Sequence, residues 1–215
     1  ISACGNVYTN VRVVAPLTTT TAICLNVKAN NIIIDGNNQP IEVQTGDERK
    51  AVNIEGYSDV TVKNVVSNYP IRFYGDTNTR FTVHDVNVGG ITNIGGDDLS
   101  VLDSTMGTFM SEALNYDLAL RTVFVDNVVS SNAGSNTKAI AEFIGSLKAL
   151  PSPITNHVIV GNTVTGTYSL PPNGGQAILR IRLSRGNVVY GNTVRSTGTR
   201  LGLYIRDHSN DTLYK

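Results

Sequence analysis

One short pattern of apolar and polar positions recurs along this chain. His157–Val164 reads H-V-I-V-G-N-T-V and Asn187–Val194 reads N-V-V-Y-G-N-T-V. Asp59–Val66 (D-V-T-V-K-N-V-V), Arg80–Val88 (R-F-T-V-H-D-V-N-V) and Thr122–Val129 (T-V-F-V-D-N-V-V) repeat it. Asn31–Asn37 and Asp98–Met106 are weaker copies, and Asp211–Lys215 carries the start of another. Taking the first apolar residue of each as an anchor gives Ile32, Val60, Phe81, Leu99, Val123, Val158, Val188 and Thr212. By subtraction the intervals are 28, 21, 18, 24, 35, 30 and 24 residues, the period of a solenoid coil. Apolar residues at i and i+2 predict a strand with one buried face, and the small polar residue that follows predicts a bend.

Stacked coils place like residues above one another at roughly 4.8 Å, so each column becomes a ladder. Asn64, Asn127, Asn162 and Asn192 fall four positions after their anchors and are expected to form a structural ladder. Asn accepts the left-handed conformation of a tight bend, and its amide can bond to the rung above. A second strand precedes each anchor, at Ala51–Ile54, Ile71–Tyr74, Ala139–Ile144, Ala177–Leu183 and Leu201–Arg206. The excursions Ser104–Leu118 and Ser130–Ile154 read as loops, and Pro171–Gly175 as a turn. A leucine-rich repeat shares the V-x-V-x-x-N spacing, but the connecting segments carry no helical period. The expected fold is all-β: a single right-handed parallel β-helix domain over residues 1–215, with about 7–8 coils.

Composition agrees. Charged residues are only 16% of the chain and the net charge is zero, which argues against a nucleic-acid partner or a polybasic membrane anchor. No apolar run is long enough to span a membrane. Cys4 and Cys24 are the only cysteines, and stacking brings a strand beside the strand of the next turn, so a disulfide is expected. Two separate buried thiols are the alternative. A bridge, with an isoleucine in place of a starting methionine, favours an extracellular or cell-surface protein whose signal segment has been removed.

The stretch from Cys4 to Asn37, C-G … P-L-T … I-C-L-x-V-x-A-N-N-I-I-I-D-G-N, resembles the opening of secreted parallel β-helix proteins of the pectin-lyase-like superfamily. That resemblance implies the fold. It leaves the activity open, because the superfamily holds polysaccharide lyases, glycoside hydrolases, epimerases and surface proteins without known chemistry. Gly96-Asp97-Asp98-Leu99-Ser100-Val101 is similar to the G-D-D-C-x-A-I stretch of polygalacturonases, which makes Asp97 and Asp98 candidate catalytic acids of an inverting hydrolase. The family's Gly-His-Gly stretch is absent.

Leu179 and Leu203 stand nine residues before their anchors, and Ile181 and Ile205 seven, so Arg180, Arg182, Tyr204 and Arg206 are expected to point outward together. Guanidinium groups beside an aromatic ring suit an acidic polysaccharide, because the planar fork pairs with carboxylates. His84, His157 and His208 lie in different coils without ligand spacing, and no metal or cofactor is expected. Asn210-Asp211-Thr212 is a single N-x-T sequon. The lead expectation is an extracellular non-catalytic β-helix, structural or self-assembling into filaments or arrays through its open coil ends, and contacting polysaccharide. The alternative is a polysaccharide-active enzyme, a uronate lyase before a polygalacturonase-like hydrolase.

Overall fold

The computed structural model describes residues 1–44, 48–75, 79–112, 121–131, 139–145, 156–167, 177–184, 186–197, 201–206 and 213–214. Among these residues there is no helix. The strands fall into three long parallel sheets and a two-stranded pair, Leu17–Thr19 with Ile41–Val43. The first sheet stacks nine strands, from Gly5–Val7 and Ile23–Val27 at one end to Ala177–Arg182 and Leu201–Arg206 at the other. The second stacks nine, from Val11–Arg12 to Leu213–Tyr214, and the third six, from Val66–Ser67 to Thr193–Ser196. Strands pair with the equivalent strand of the next turn, which is a parallel β-helix of about eight coils.

Alternation along each strand decides what fills the coil. In the second sheet, Val60–Lys63 and Arg80–His84 bury Val60, Val62, Phe81 and Val83 and turn the residues between them outward. Phenylalanines stack across the interior: Phe73 on Phe81 at 4.5 Å between centroids, and Phe109 on Phe124 and Phe143 at 4.4 and 4.9 Å. Between the two groups the core admits polar atoms. Asn93 Nδ2 donates to Gly96 O at 3.1 Å and Ser111 Oγ at 3.3 Å, and Ser111 Oγ lies 3.0 Å from Thr122 Oγ1.

Six successive coils each leave the second sheet through one left-handed residue. Asn64, Asp85, Asp103, Asp126, Gly161 and Gly191 share this column, with φ of 53°, 54°, 48°, 53°, 70° and 64°. Asn, Asp and Gly tolerate that conformation where branched residues do not.

This column corrects the sequence alignment by one residue. Leu99 is in register with Thr122, not Val123, and the displacement persists through Val158 and Val188. The inward residues of the later coils are Thr122 with Phe124, His157 with Ile159, and Asn187 with Val189. The expected anchors Val123, Val158 and Val188 therefore face outward. V-F-V, V-I-V and V-V-Y are apolar in both phases, so they set no phase of their own, and a one-residue slip exchanges the two faces. The bend sets the phase instead. Asn127, Asn162 and Asn192 stand one step beyond the left-handed residue, in the column that holds Val86 and Ser104 in earlier coils.

That column is a hydrogen-bonded ladder. The Asn127 amide N–H donates to Asn162 Oδ1 at 2.9 Å, and Asn162 N–H donates to Asn192 Oδ1 at 2.9 Å. Asn127 Nδ2 donates to Val101 O, Asn162 Nδ2 to Phe124 O, and Asn192 Nδ2 to Ile159 O, so each side chain ties its coil to the one before. Asn64 does other work, donating from Nδ2 to Asp35 Oδ1 at 3.0 Å. That bond is the main reason the Asp35 carboxyl is held below the usual range. Cys4 and Cys24 form the expected disulfide, fastening the first strand region to the second coil.

Candidate functional site

The outer face of the first sheet gathers most of the outward-facing chemistry. Register places Asn6, Asn26, Asn53, Arg72, Thr92, Met110, Glu142, Arg180 and Tyr204 in one outward column. A parallel column two residues on carries Glu55, Tyr74, Ile94, Glu112, Ile144, Arg182 and Arg206. At the N-terminal end the first column is a second amide ladder, with Asn53 Nδ2 donating to Asn26 Oδ1 at 3.2 Å and Asn26 Nδ2 to Asn6 Oδ1 at 3.3 Å.

The structure brings Arg180, Arg182 and Tyr204 onto neighbouring rungs, as their spacing implies. It does not leave Arg180 in solvent. Arg180 is 7% exposed and its Nη1 lies 2.8 Å from Glu142 Oε1 in the adjacent coil. Both side chains are about one-tenth exposed, so the guanidinium is committed to an enclosed ion pair. Arg182 and Tyr204 are half-buried, and Arg206 is placed by its backbone alone, in register with Arg182.

Asp97 and Asp98 sit elsewhere. Asp98 opens a strand of the second sheet, where Asp59, Arg80, Asp98 and Arg121 alternate in charge along one column. Arg121 Nε donates to Asp98 Oδ1 at 2.9 Å and Arg80 Nε to Asp59 Oδ1 at 2.6 Å. Hydrogen bonds from Ser58 and then Arg80 hold the Asp59 carboxyl below its ordinary range. The Asp97 amide donates to Thr79 Oγ1 at 3.1 Å. Asp98 is thus part of an inter-coil charge ladder, on a different sheet from Arg180 and Arg182.

A more accessible cationic group lies nearer the N-terminus. An open cavity of about 410 Å³ is lined by Glu48, Arg49, Lys50, Pro70, Arg72, Thr92 and Ile94. Arg49 lies 5.0 Å from the centre of the Tyr69 ring and Arg72 5.2 Å from that of Tyr74. Lys50 Nζ donates to Glu48 Oε2 at 3.1 Å, and Arg72 Nη1 lies 3.7 Å from the same oxygen. The hydrogen bond from Lys50 is the chief cause that lowers the Glu48 pKa. The sequence expectations above name none of the residues lining this cavity. The signal was there: in Ile71–Tyr74 the alternation that buries Ile71 and Phe73 turns Arg72 and Tyr74 outward.

His157 is the most perturbed titratable group. Its ring is fully buried 5.7 Å from the Phe143 ring, neither ring nitrogen has a hydrogen-bond partner among the described residues, and burial lowers its pKa to about 3. Among the described residues no group of His, Cys, Asp and Glu could hold a metal ion. No helix is long and apolar enough to cross a membrane. Arg185, Arg200, His208, Asp76, the sequon at Asn210 and the proline segments 151–153 and 171–175 lie outside the described residues.

No family model, curated protein or solved structure matches the chain. The parallel β-helix is established by its own strand pairing, and the pectin-lyase-like kinship remains a resemblance of motif.

Proposed function

We propose that this protein is an extracellular β-helix that serves as a structural or surface element and contacts acidic polysaccharide along the outer face of its first sheet. One observation carries the reading. That face holds cations and tyrosines at positions fixed by the register: Arg72 beside Tyr74 in one coil, and Arg182 and Tyr204 on neighbouring rungs further along the same sheet. An extended glycan also presents its carboxylates or sulfates along a line, and a solenoid surface orders its side chains without any loop closing over them. The Cys4–Cys24 disulfide suits the oxidising compartment in which such a polymer is met.

Affinity electrophoresis through gels containing polygalacturonate, alginate, a sulfated glycan or a neutral glucan tests the reading. Retardation in the acidic gels alone supports it, and equal mobility in all of them removes it. Absorbance at the unsaturated uronate band in the same mixtures tests the lyase alternative, which requires time-dependent product. End-to-end association belongs to the same reading. Among the described residues, Gly5–Val7 and Leu201–Arg206 are the outermost strands of the nine-stranded sheet, and an edge strand can accept a further strand. Sedimentation velocity over a hundredfold range of concentration tests it, and an unchanging monomer rejects it.

A further inference from the structure

The cavity beside Arg72 has an imbalance in it. Its two central cations are fixed by the coil: Lys50 opens strand Lys50–Glu55 with only 11% of its side chain exposed, and Arg72 lies mid-strand with 28% exposed. The carboxylate that faces both is a surface side chain, Glu48, 78% exposed. Lys50 Nζ keeps a second bond to the Glu48 main-chain oxygen at 3.1 Å, so it stays in place whatever the carboxylate does. Arg72 is steadied by the Tyr74 ring. One exposed negative charge therefore stands before two positioned positive ones, and Arg49 adds a third cation at the rim.

We infer that the Glu48–Lys50–Arg72 bay is an anion subsite in which Glu48 is an internal ligand, displaced by a carboxylate or sulfate ester of an acidic saccharide. The inference rests on the acidic-glycan reading for its ligand, while the bay itself requires only an anion. Geometry favours exchange over a permanent ion pair. An exposed carboxylate held by side-chain contacts alone contributes little, and an incoming anion recovers the same two contacts. Thr92, in register with Arg72, offers a hydroxyl on the neighbouring rung, and Ile94 beside it gives an apolar wall against which a sugar ring can lie. The Lys50 and Arg72 cations distinguish charged from neutral sugars, since burial of their stems leaves only the charged ends to be met.

The test uses the whole chain, with tri-galacturonate, a sulfated disaccharide and inorganic sulfate titrated separately by calorimetry. Glu48→Gln removes the competing charge and keeps its shape. It should bind tighter, by about fivefold. Arg72→Ala should weaken binding at least tenfold, and Arg72→Lys should restore part of it if the requirement is charge. The two saccharides distinguish carboxylate from sulfate as the natural partner. Equal affinity in wild type, Glu48→Gln and Arg72→Ala overturns the bay even if acidic glycans bind, and leaves the glycan reading standing on another part of the face. Binding of inorganic sulfate that strengthens in Glu48→Gln, with no saccharide bound, keeps the bay and removes the glycan reading. No binding by any probe removes both.

Discussion

A single proton decides how this β-helix responds to mild acid. His157 occupies an inward column of the second sheet, between Thr122 and Asn187, with Phe143 at its side. Burial alone drives its pKa from 6.5 to about 3, so the folded ring stays neutral while the unfolded ring takes up a proton below 6.5. The sign follows. A cation whose folded pKa is depressed contributes its full stability above pH 6.5 and loses it progressively as pH falls toward 3. At pH 5.0 the loss is about 2 kcal/mol, and the full shift corresponds to about 4–5 kcal/mol. Asp35, Glu48 and Asp59 have lowered carboxyl pKa values, so their contributions are lost only below about pH 4.5 and do not intrude between 7.5 and 5.0. Urea unfolding followed by circular dichroism at pH 7.5 and 5.0 reads the difference in wild type and in His157→Leu. The other two histidines are common to both proteins and cancel. The variant should lose about 2 kcal/mol less than wild type on acidification, and it should be at least as stable at pH 7.5, because leucine leaves no buried ring nitrogen without a partner. The same loss in both proteins would refute the placement of His157 in the core.

Three further outcomes test the frame around it. Asn162→Leu strands the Asn127 amide and takes a donor from Phe124 O, and should cost about 2–4 kcal/mol with faster hydrogen exchange at Asn127. Gly89→Ala places a Cβ 2.1 Å from the Asn68 carbonyl oxygen, a backbone contact that cannot yield, and should sharply lower the thermal midpoint where alanine at most surface positions would not. Reducing the Cys4–Cys24 bridge should lower stability by about 3 kcal/mol, seen as a shift in urea midpoint on adding a thiol, with no change in Cys4→Ser/Cys24→Ser.

The coil pattern was legible because period-2 alternation and a bend residue are both local. Ile32 with Ile34, Val60 with Val62 and Phe81 with Val83 were each recoverable from their own few residues, and each pair is buried apart from small remnants. The disulfide was legible for the same reason, since stacking fixes which distant residues become neighbours. Arg180 was not. Its outward direction follows from alternation, but its enclosure with Glu142 depends on what lies over the sheet, which no period reports. The Glu48–Lys50–Arg72 bay was missed because its members come from two successive coils, and only the register between them makes one site.

The displaced register ties these matters together. Where a strand is apolar in both phases, the phase that wins is the one that buries the Asn127 and Asn162 amides and satisfies them across coils. That choice turns Thr122, His157 and Asn187 inward in place of Val123, Val158 and Val188. Each polar group then finds or lacks a partner: Ser111 for Thr122, Ser184 for Asn187, and none among the described residues for the His157 ring. The same choice sends valines out, leaving Val188 at 39% and Tyr190 at 50% exposure on the second sheet. Cohesion between coils has been placed ahead of a dry core and a polar surface. In the first sheet the strand Ile71–Tyr74 alternates cleanly and holds Arg72 and Tyr74 outward at fixed positions. The chemistry of this β-helix is therefore expected where alternation is strict, and its acid sensitivity where alternation fails.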